Sequence, residues 1–333
     1  MSAALLPIIP RPLKRQIGRG LGELAGLRIE RQLARLAAGD APIVAGPWLG
    51  EVGFELLYWA PFLAWFAERF QVEPRRLIVL SRGGTAAWYR PFAATYHDVF
   101  DQIGTADFRT RNHARSAELG EQKQIAITQF DRDLLAPVLA ANQAAGDRVL
   151  HPSAMFRLFR AYWFGHAGAE WVHRHARFRM LASDGDAALL SRLPRDYTAV
   201  KFYYNESFPA TPANRRFARD VLHRLRDAGS VVSLSTGLAL DDHEGWEEEE
   251  SLAAHGIRAD LSPATNLALQ TTIVANARAW VGTYGGFAYL APFHRVPATA
   301  YYSIDSFSKK HLALALDVFS RFSPQPLLTL HQA

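Results

Sequence analysis

The chain has 333 residues, of which 49% are hydrophobic and 21% charged, the balance of a folded protein with enough length for two ordinary cores. It contains no cysteine, which excludes disulfides, thiolate metal sites and cysteine nucleophiles and suits a reducing compartment. No apolar run reaches membrane-spanning length, and the short LLPIIP run followed by charge does not read as a signal peptide, so a cytoplasmic location is expected.

The net charge of +5 is carried by residues 1–39 of the N-terminal extension, 1–40. Seven Lys/Arg (Arg11, Lys14, Arg15, Arg19, Arg28, Arg31, Arg35) stand there against Glu23 and Glu30, and residues 40–333 are balanced. Ile17, Leu21, Leu24, Leu27, Leu33 and Leu36 recur at roughly helical spacing, which predicts an amphipathic helix. Such a helix either lies peripherally on an anionic membrane surface or packs on the protein's own body with its charges in water. The second is favoured, because single amphipathic helices usually dock on their own domain. The balanced charge of the remainder argues against a nucleic-acid partner.

From residue 41 short apolar runs alternate with helical stretches. PIVAG (42–46) predicts a strand, 53–70 an amphipathic helix, and RLIVLS (76–81) a second strand followed by the turn Arg82-Gly83-Gly84. IAITQF (125–130) predicts a further strand and 131–145 a helix entered through Asp131 and Asp133. Residues 147–180 read as helices closing the first half, and 183–196 as the boundary between domains. The alternation resumes with a strand at 197–204, a helix at 212–228 and VVSLS (231–235). An acidic loop (241–250), a helix (264–277), WVGTY (280–284), a short helix (287–294), VPATAYY (296–302) and a helix at 308–320 complete it. Apolar strands separated by helices predict parallel sheets. The expected fold class is α/β, with two Rossmann-like domains, 41–182 and 183–333, facing across a cleft behind the helical extension.

Four places along this pattern carry chemistry. At the first strand–helix junction Gly46, Gly50 and Gly53 surround Glu51, which a ligand could approach closely; a carboxylate there could take a proton from a hydroxyl. The bland account is a dipole-stabilised acid at a helix start. Glu55, one turn on, is the competing base or a salt-bridge residue. Trp48, Phe54 and Trp59 either stack on a ligand or, more in keeping with their type, fill the core. Lys201 lies inside an apolar strand whose alternation puts it with Tyr203 and Asn205 on one face, so it is paired or binds an anion. Thr236-Gly237 ends another strand, near a ligand in this architecture. Finally, VGTYGGFAYLAPFHRVPATAYY (281–302) predicts a strand, the turn Gly285-Gly286, a helix limited by Pro292, and a strand. Its amides, with Thr283 and Tyr284, suit an anionic group. The alternative is a turn needed only for close packing.

Weaker signals are Asp131-Arg132-Asp133 and Asp184-Gly185-Asp186, of the D-x-D shape that can hold a divalent ion, the histidines at 166–175, and His243 in the acidic loop. The first reads more simply as helix-start acids, the second as a turn, and the His spacing fits no metal motif. No metal site is expected. A G-x-S-x-G elbow and a P-loop are both absent from the sequence.

Taken together, LGEVGFELLYWAPFL (49–63) and VGTYGGFAYLAPFHRVPATAYYS (281–303) resemble two motifs of the heptosyltransferase-type GT-B glycosyltransferases of bacterial surface polysaccharide assembly. Glu51 stands where that family usually has Asp, Gly282 where it has Asp, and Tyr289 where it has His. The resemblance implies an inverting, metal-independent sugar transferase with no cofactor, using a nucleotide sugar as substrate and a glycan or lipid-linked acceptor. Glu51 would be the base, and Lys201, Thr283, Tyr284, Gly285, Gly286, Thr236 and Gly237 would hold the donor. The cleft would be lined further by Gly50, Gly53, Glu55, Tyr203, Asn205 and His243. The rivals are a nucleotide-sugar epimerase of the same architecture and a non-catalytic nucleotide-sugar or glycan-binding module.

Overall fold

The computed structural model describes residues 11–183, 185–238, 244–246, 257 and 260–333, with the backbone course alone over 11–21. The first sheet holds β1 (Ile43–Ala45), β2 (Leu77–Ser81), β3 (Thr95–Asp98) and β4 (Val149–Leu150) in the order β3-β2-β1-β4, every pair parallel. The second sheet is built from β5 (Thr198–Lys201), β7 (Val231–Ser233), β9 (Ala279–Thr283), β10 (Ala298–Tyr302) and β11 (Leu328–Gln332). Its order is β11-β10-β9-β5-β7, again parallel. Between β5 and β9 in sequence, β6 (Tyr203–Tyr204) and β8 (Glu244–Gly245) make a small antiparallel ribbon. The molecule is α/β with two parallel sheets.

Strand order decides where such sheets leave room. In the first sheet the chain moves outward from β1 to β2 and β3, then returns to β1's other side for β4. In the second it places β7 on one side of β5 and β9, β10 and β11 on the other. At these reversals, β1/β4 and β5/β9, successive connections diverge to opposite faces and leave a crevice outside the strands' carboxyl ends. The segments leaving β1 and β9 are the two glycine-bearing junctions, 46–53 and 285–286.

Several local expectations change. IAITQF is not a strand. Thr128 caps a helix over Gln129–Ala141 in a reciprocal capping box with Asp131, and the isoleucines before it are left partly exposed. That cap outweighs the β-branched run. Gln124 pins the preceding loop, accepting from the Leu49 amide (2.9 Å) and donating to the Pro47 carbonyl (2.8 Å). The sheet positions are taken by β3, β4 and β11, which the apolar pattern does not mark. The helical run 52–69 is not amphipathic, because every residue from Glu55 to Ala67 is buried. It passes through a π-helical turn at Glu55–Trp59 and packs on both units. The single strand expected at 197–204 breaks after Lys201. The alternation persists across the break: Val200, Phe202 and Tyr204 enter one cluster, Tyr203 the other.

The N-terminal extension is one helix, Arg11–Ala37, and its described part packs on the body. Gly26, Ile29, Leu33 and Ala37 face inward. A Cβ on Gly22 would lie 3.1 Å from the Ala161 side chain, and one on Gly26 2.7 Å from the Trp171 ring. Glycines at these positions let the helix lie close against the helix Pro152–Trp163. Glu30 reaches His175 Nε2 at 2.9 Å.

The strands of the first sheet all precede residues 183–196 and those of the second all come after, yet the units meet along a dense seam rather than a wide cleft. One cluster of buried apolar residues runs through both. A Cβ on Gly53 would lie 2.3 Å from Gly286 Cα, so these backbones touch directly. The Gly83 carbonyl accepts from the Leu267 and Ala268 amides (2.8 and 2.9 Å), satisfying donors at the start of helix Asn266–Ala275. Trp88 Nε1 donates to Thr271 Oγ1 (3.2 Å), and Tyr162 Oη to the Lys310 carbonyl (2.7 Å). Gly53→Ala should therefore destabilise the protein by about 1–3 kcal/mol through overpacking, read as a lowered thermal midpoint. Gly146→Ala, where an added Cβ meets nothing within 4 Å, should leave the midpoint unchanged.

Candidate active site

The segments leaving β1 and β9 close around a pocket of about 140 Å³. Glu51, Gly53, Phe54, Leu57 and Tyr58 line it from the first unit; Tyr284, Gly285, Gly286, Tyr289, Phe307, Ser308 and His311 line it from the second. Glu51 is the N-cap of the helical run, with extended backbone, and its carboxylate is exposed at the pocket. It makes no cap hydrogen bond to the helix. Across the pocket, Gly285 is extended and leads into a 3-10 turn at Gly286–Tyr289 that continues as the helix Leu290–Phe293. A Cβ on Gly285 would lie 2.2 Å from Tyr203 Oη, so any side chain there would have to displace that hydroxyl. Tyr284 and Tyr289 join hydroxyls at 2.9 Å, and burial pushes the Tyr284 phenol up to about 12.

Two residues unmarked in the sequence form the pocket's other polar feature. Tyr58 Oη lies 2.5 Å from His311 Nδ1, and the His311 ring stands edge-on to Phe54 and Tyr58. Burial, reinforced by the charges of Lys123 and Lys310, lowers His311 to about 4, so its imidazole is neutral at neutral pH. Ser308 caps the helix Lys309–Ser320 by accepting from the His311 amide. The one sequence signal for this corner is the Ser308-x-x-His311 helix start; nothing in the sequence ties it to a tyrosine 253 positions away.

The structure separates the two candidate acids. Glu51 faces the pocket, whereas Glu55 is fully buried beneath the end of β2. Its Oε1 accepts from Ser81 Oγ at 2.5 Å and from Tyr89 Oη, while Oε2 has no hydrogen-bond partner. Asp98 sits in the same network, accepting from the Gly84 amide (2.7 Å), Tyr96 Oη (2.8 Å) and the Phe100 amide (2.8 Å). Burial raises Glu55 to about 7 and Asp98 to about 6. Glu55 does not line the pocket, so its expected place in a cleft wall is corrected to a seat under the sheet.

The remaining predicted residues divide. Gly53, Tyr284, Gly285 and Gly286 are at the pocket. Gly50 lies beside it, its carbonyl accepting from Arg82 Nη2 at 2.7 Å. Thr283 is fully buried; its hydroxyl donates to the Tyr203 carbonyl (2.8 Å) and accepts from the Tyr203 amide (3.1 Å), replacing ladder bonds where β5 breaks. The hydroxyl donor expected of Thr283 is thus turned away from the ligand side. Asn205 is engaged in its own turn, accepting from Phe208 N (2.8 Å) and donating to the Tyr284 carbonyl (3.1 Å). Tyr203 is buried behind Gly285. Lys201 is half-buried; its Nζ donates to Gln270 Oε1 and lies 4.2 Å from the centre of the Phe287 ring, one residue beyond Gly286. Thr236 and Gly237 come after β7 without reaching the pocket lining. His243 and Asp184 lie outside the described residues.

Asp131 belongs to the capping box and Asp133 bonds Gln129 and Arg111, so that D-x-D serves its helix start. Asp186 caps the short helix Ala187–Leu190. Among the described residues no three His, Asp or Glu side chains gather as metal ligands would. No protein-family model, curated protein or solved structure matches the chain.

The Glu55 seat has a measurable consequence. Between its ordinary value of 4.5 and about 7 the folded protein holds the proton while the unfolded chain has released it. Stability therefore falls as pH rises through that window. The unfolding free energy of wild type minus that of Glu55→Gln should drop by about 2–3 kcal/mol from roughly pH 5 to 8, measured by denaturant titration. A flat difference would show that Glu55 ionises as freely folded as unfolded.

Proposed function

We propose that the chain is a glycosyltransferase of GT-B architecture, moving a sugar from a nucleotide-sugar donor to a hydroxyl acceptor. One observation carries the reading: the order-reversal points of the two sheets meet, and they bring Glu51 and Gly285-Gly286 to the same pocket. The donor diphosphate would lie against the amides opening the Gly286 turn, with Lys201 beside Phe287 at its flank. Its nucleoside would extend past β5 toward Thr236-Gly237. The aromatic faces of Phe54, Tyr284 and Phe307 suit the C–H faces of a sugar ring, and Glu51 would take the acceptor's proton as its oxygen attacks the anomeric carbon. Displacement from the opposite side makes the reaction inverting.

A pocket of 140 Å³ holds a ring-sized group and not a whole nucleotide sugar. Donor entry therefore requires Gly53 to withdraw from Gly286, a hinge opening of the kind common in two-domain enzymes. The same narrow seam, with the Thr283 hydroxyl already engaged, favours as second reading a module that binds sugar without turnover.

Thermal denaturation against a panel of nucleoside diphosphates and nucleotide sugars separates these readings. A true donor at about 100 times its Kd should stabilise by about 2.7 kcal/mol. Stabilisation by none of them would sink the transferase. Glu51→Gln should keep the shift while turnover falls by about 10²–10⁴. A ligand that shifts the wild type without ever being consumed would favour the binding module.

A further inference from the structure

The N-terminal helix buries Ile29, Leu33 and Ala37 on the body and still leaves two leucines in water. Gly22 and Gly26 also face the protein, where they meet Ala161 and Trp171, while Leu24 and Leu27 face out, 58% and 51% exposed. A helix facing only solvent puts its leucines inward. At helical spacing Leu24, Leu27, Arg28, Arg31 and Arg35 share one outward face, and all five are exposed. Of the helix's two acids, Glu30 turns inward to His175, and Glu23 lies at the edge of that face, where it lines a surface pocket with Ala161, Glu170 and Arg174. In sequence, Ile17 and Leu21 recur at the same spacing upstream. The helix against which Gly22 presses ends in Phe164, 64% exposed, with the Arg160 guanidinium 5.2 Å from the ring centre.

We propose that this face docks on an anionic lipid bilayer surface, its leucines entering the acyl boundary and its arginines reaching the headgroups. The argument is charge complementarity joined to exposed apolar side chains. Residues 1–39 hold the chain's whole positive excess, and arginines interleaved with leucines can lay their stems along the apolar boundary while the guanidinium stays at the phosphates. A nucleic acid would match the arginines but offers nothing to the leucines. A second copy joined face to face would set Arg28, Arg31 and Arg35 against their own equivalents. The inference stands independently of what the pocket binds.

Flotation of the full chain with vesicles tests it. The protein should rise with phosphatidylglycerol-containing vesicles, stay behind with phosphatidylcholine alone, and release as salt is raised. Arg28→Glu/Arg31→Glu/Arg35→Glu and, separately, Leu24→Ser/Leu27→Ser should each weaken partitioning by about tenfold or more, with unchanged melting curves because all five side chains are exposed. Wild-type protein that ignores anionic vesicles overturns the proposal, as does binding that survives both sets of substitutions. It is equally overturned if, without vesicle binding, either set abolishes self-association in sedimentation or a mobility shift with DNA.

Discussion

The arrangement depends on a contact between two backbones. Gly53 and Gly286 lie so close that neither can carry a side chain without moving the other. Each stands just past the first helix-ward turn after a strand at an order reversal, so the contact joins the two sheets where each leaves a crevice. It sets the depth of the pocket, which remains only beside it. It also brings the helical run after β1 under the second unit, which is why that run is buried all round and why Tyr58 reaches His311. Dispersion and burial along this seam act over many aromatic residues, but the glycines allow the approach those contacts need.

The seam's polar groups are settled in ways that keep the two carboxylates distinct. Glu51 and Glu55 are four positions apart, a spacing that would place both on one face of a regular helix. Glu51, however, is the N-cap and extended, while Glu55 opens the π-helical turn and points beneath β2. A π turn inserts a residue's worth of rotation and re-aims the side chains beyond it. One acid is thereby left at the pocket and the other held among Ser81, Tyr89 and Arg82, where burial favours its protonated form. Oε1 accepts from the Ser81 and Tyr89 hydroxyls, which leaves the proton to the partnerless Oε2.

The features legible in the sequence are those that depend on neighbours in the chain. The strands that are continuous apolar runs, RLIVLS and WVGT, stand where the pattern puts them, as do the helix Pro212–Ala228 and the glycine turn at 285–286. TYHD reads as polar yet completes the first sheet as β3, because an edge position needs only one strand neighbour. IAITQF reads as a strand and is not one, because Thr128 and Asp131 make a better helix start than the isoleucines make a ladder. The pocket is half legible. Glu51 and the glycines are marked by local pattern, but Tyr58 and Phe307 have no signature apart from the fold that assembles them, and His311 has only its place in a helix start. Thr283 shows the converse: a hydroxyl at a strand end reads as a ligand contact until the break after Lys201 leaves the Tyr203 backbone groups needing partners, and it supplies them.

Glycine solves the same problem twice. At the N-terminal helix Gly22 and Gly26 bring one helix against another, and at the seam Gly53 and Gly286 bring one unit against the other. The two contacts are linked by a continuous aromatic layer. The helix Pro152–Trp163 receives the N-terminal helix on Leu158 and Ala161, while its Phe156 and Trp163 pack against Phe54 and its Phe159 and Trp163 against Tyr58. Those two residues line the pocket. The orientation of the N-terminal helix is thus fixed relative to the pocket by close-packed rings with little room to adjust. Ile29 and Leu33 already supply the helix's apolar contact with the body, so Leu24 and Leu27 on the opposite face add nothing to that packing. Gly22 and Gly26 bring the helix close enough for the body to hold it with those two leucines turned outward.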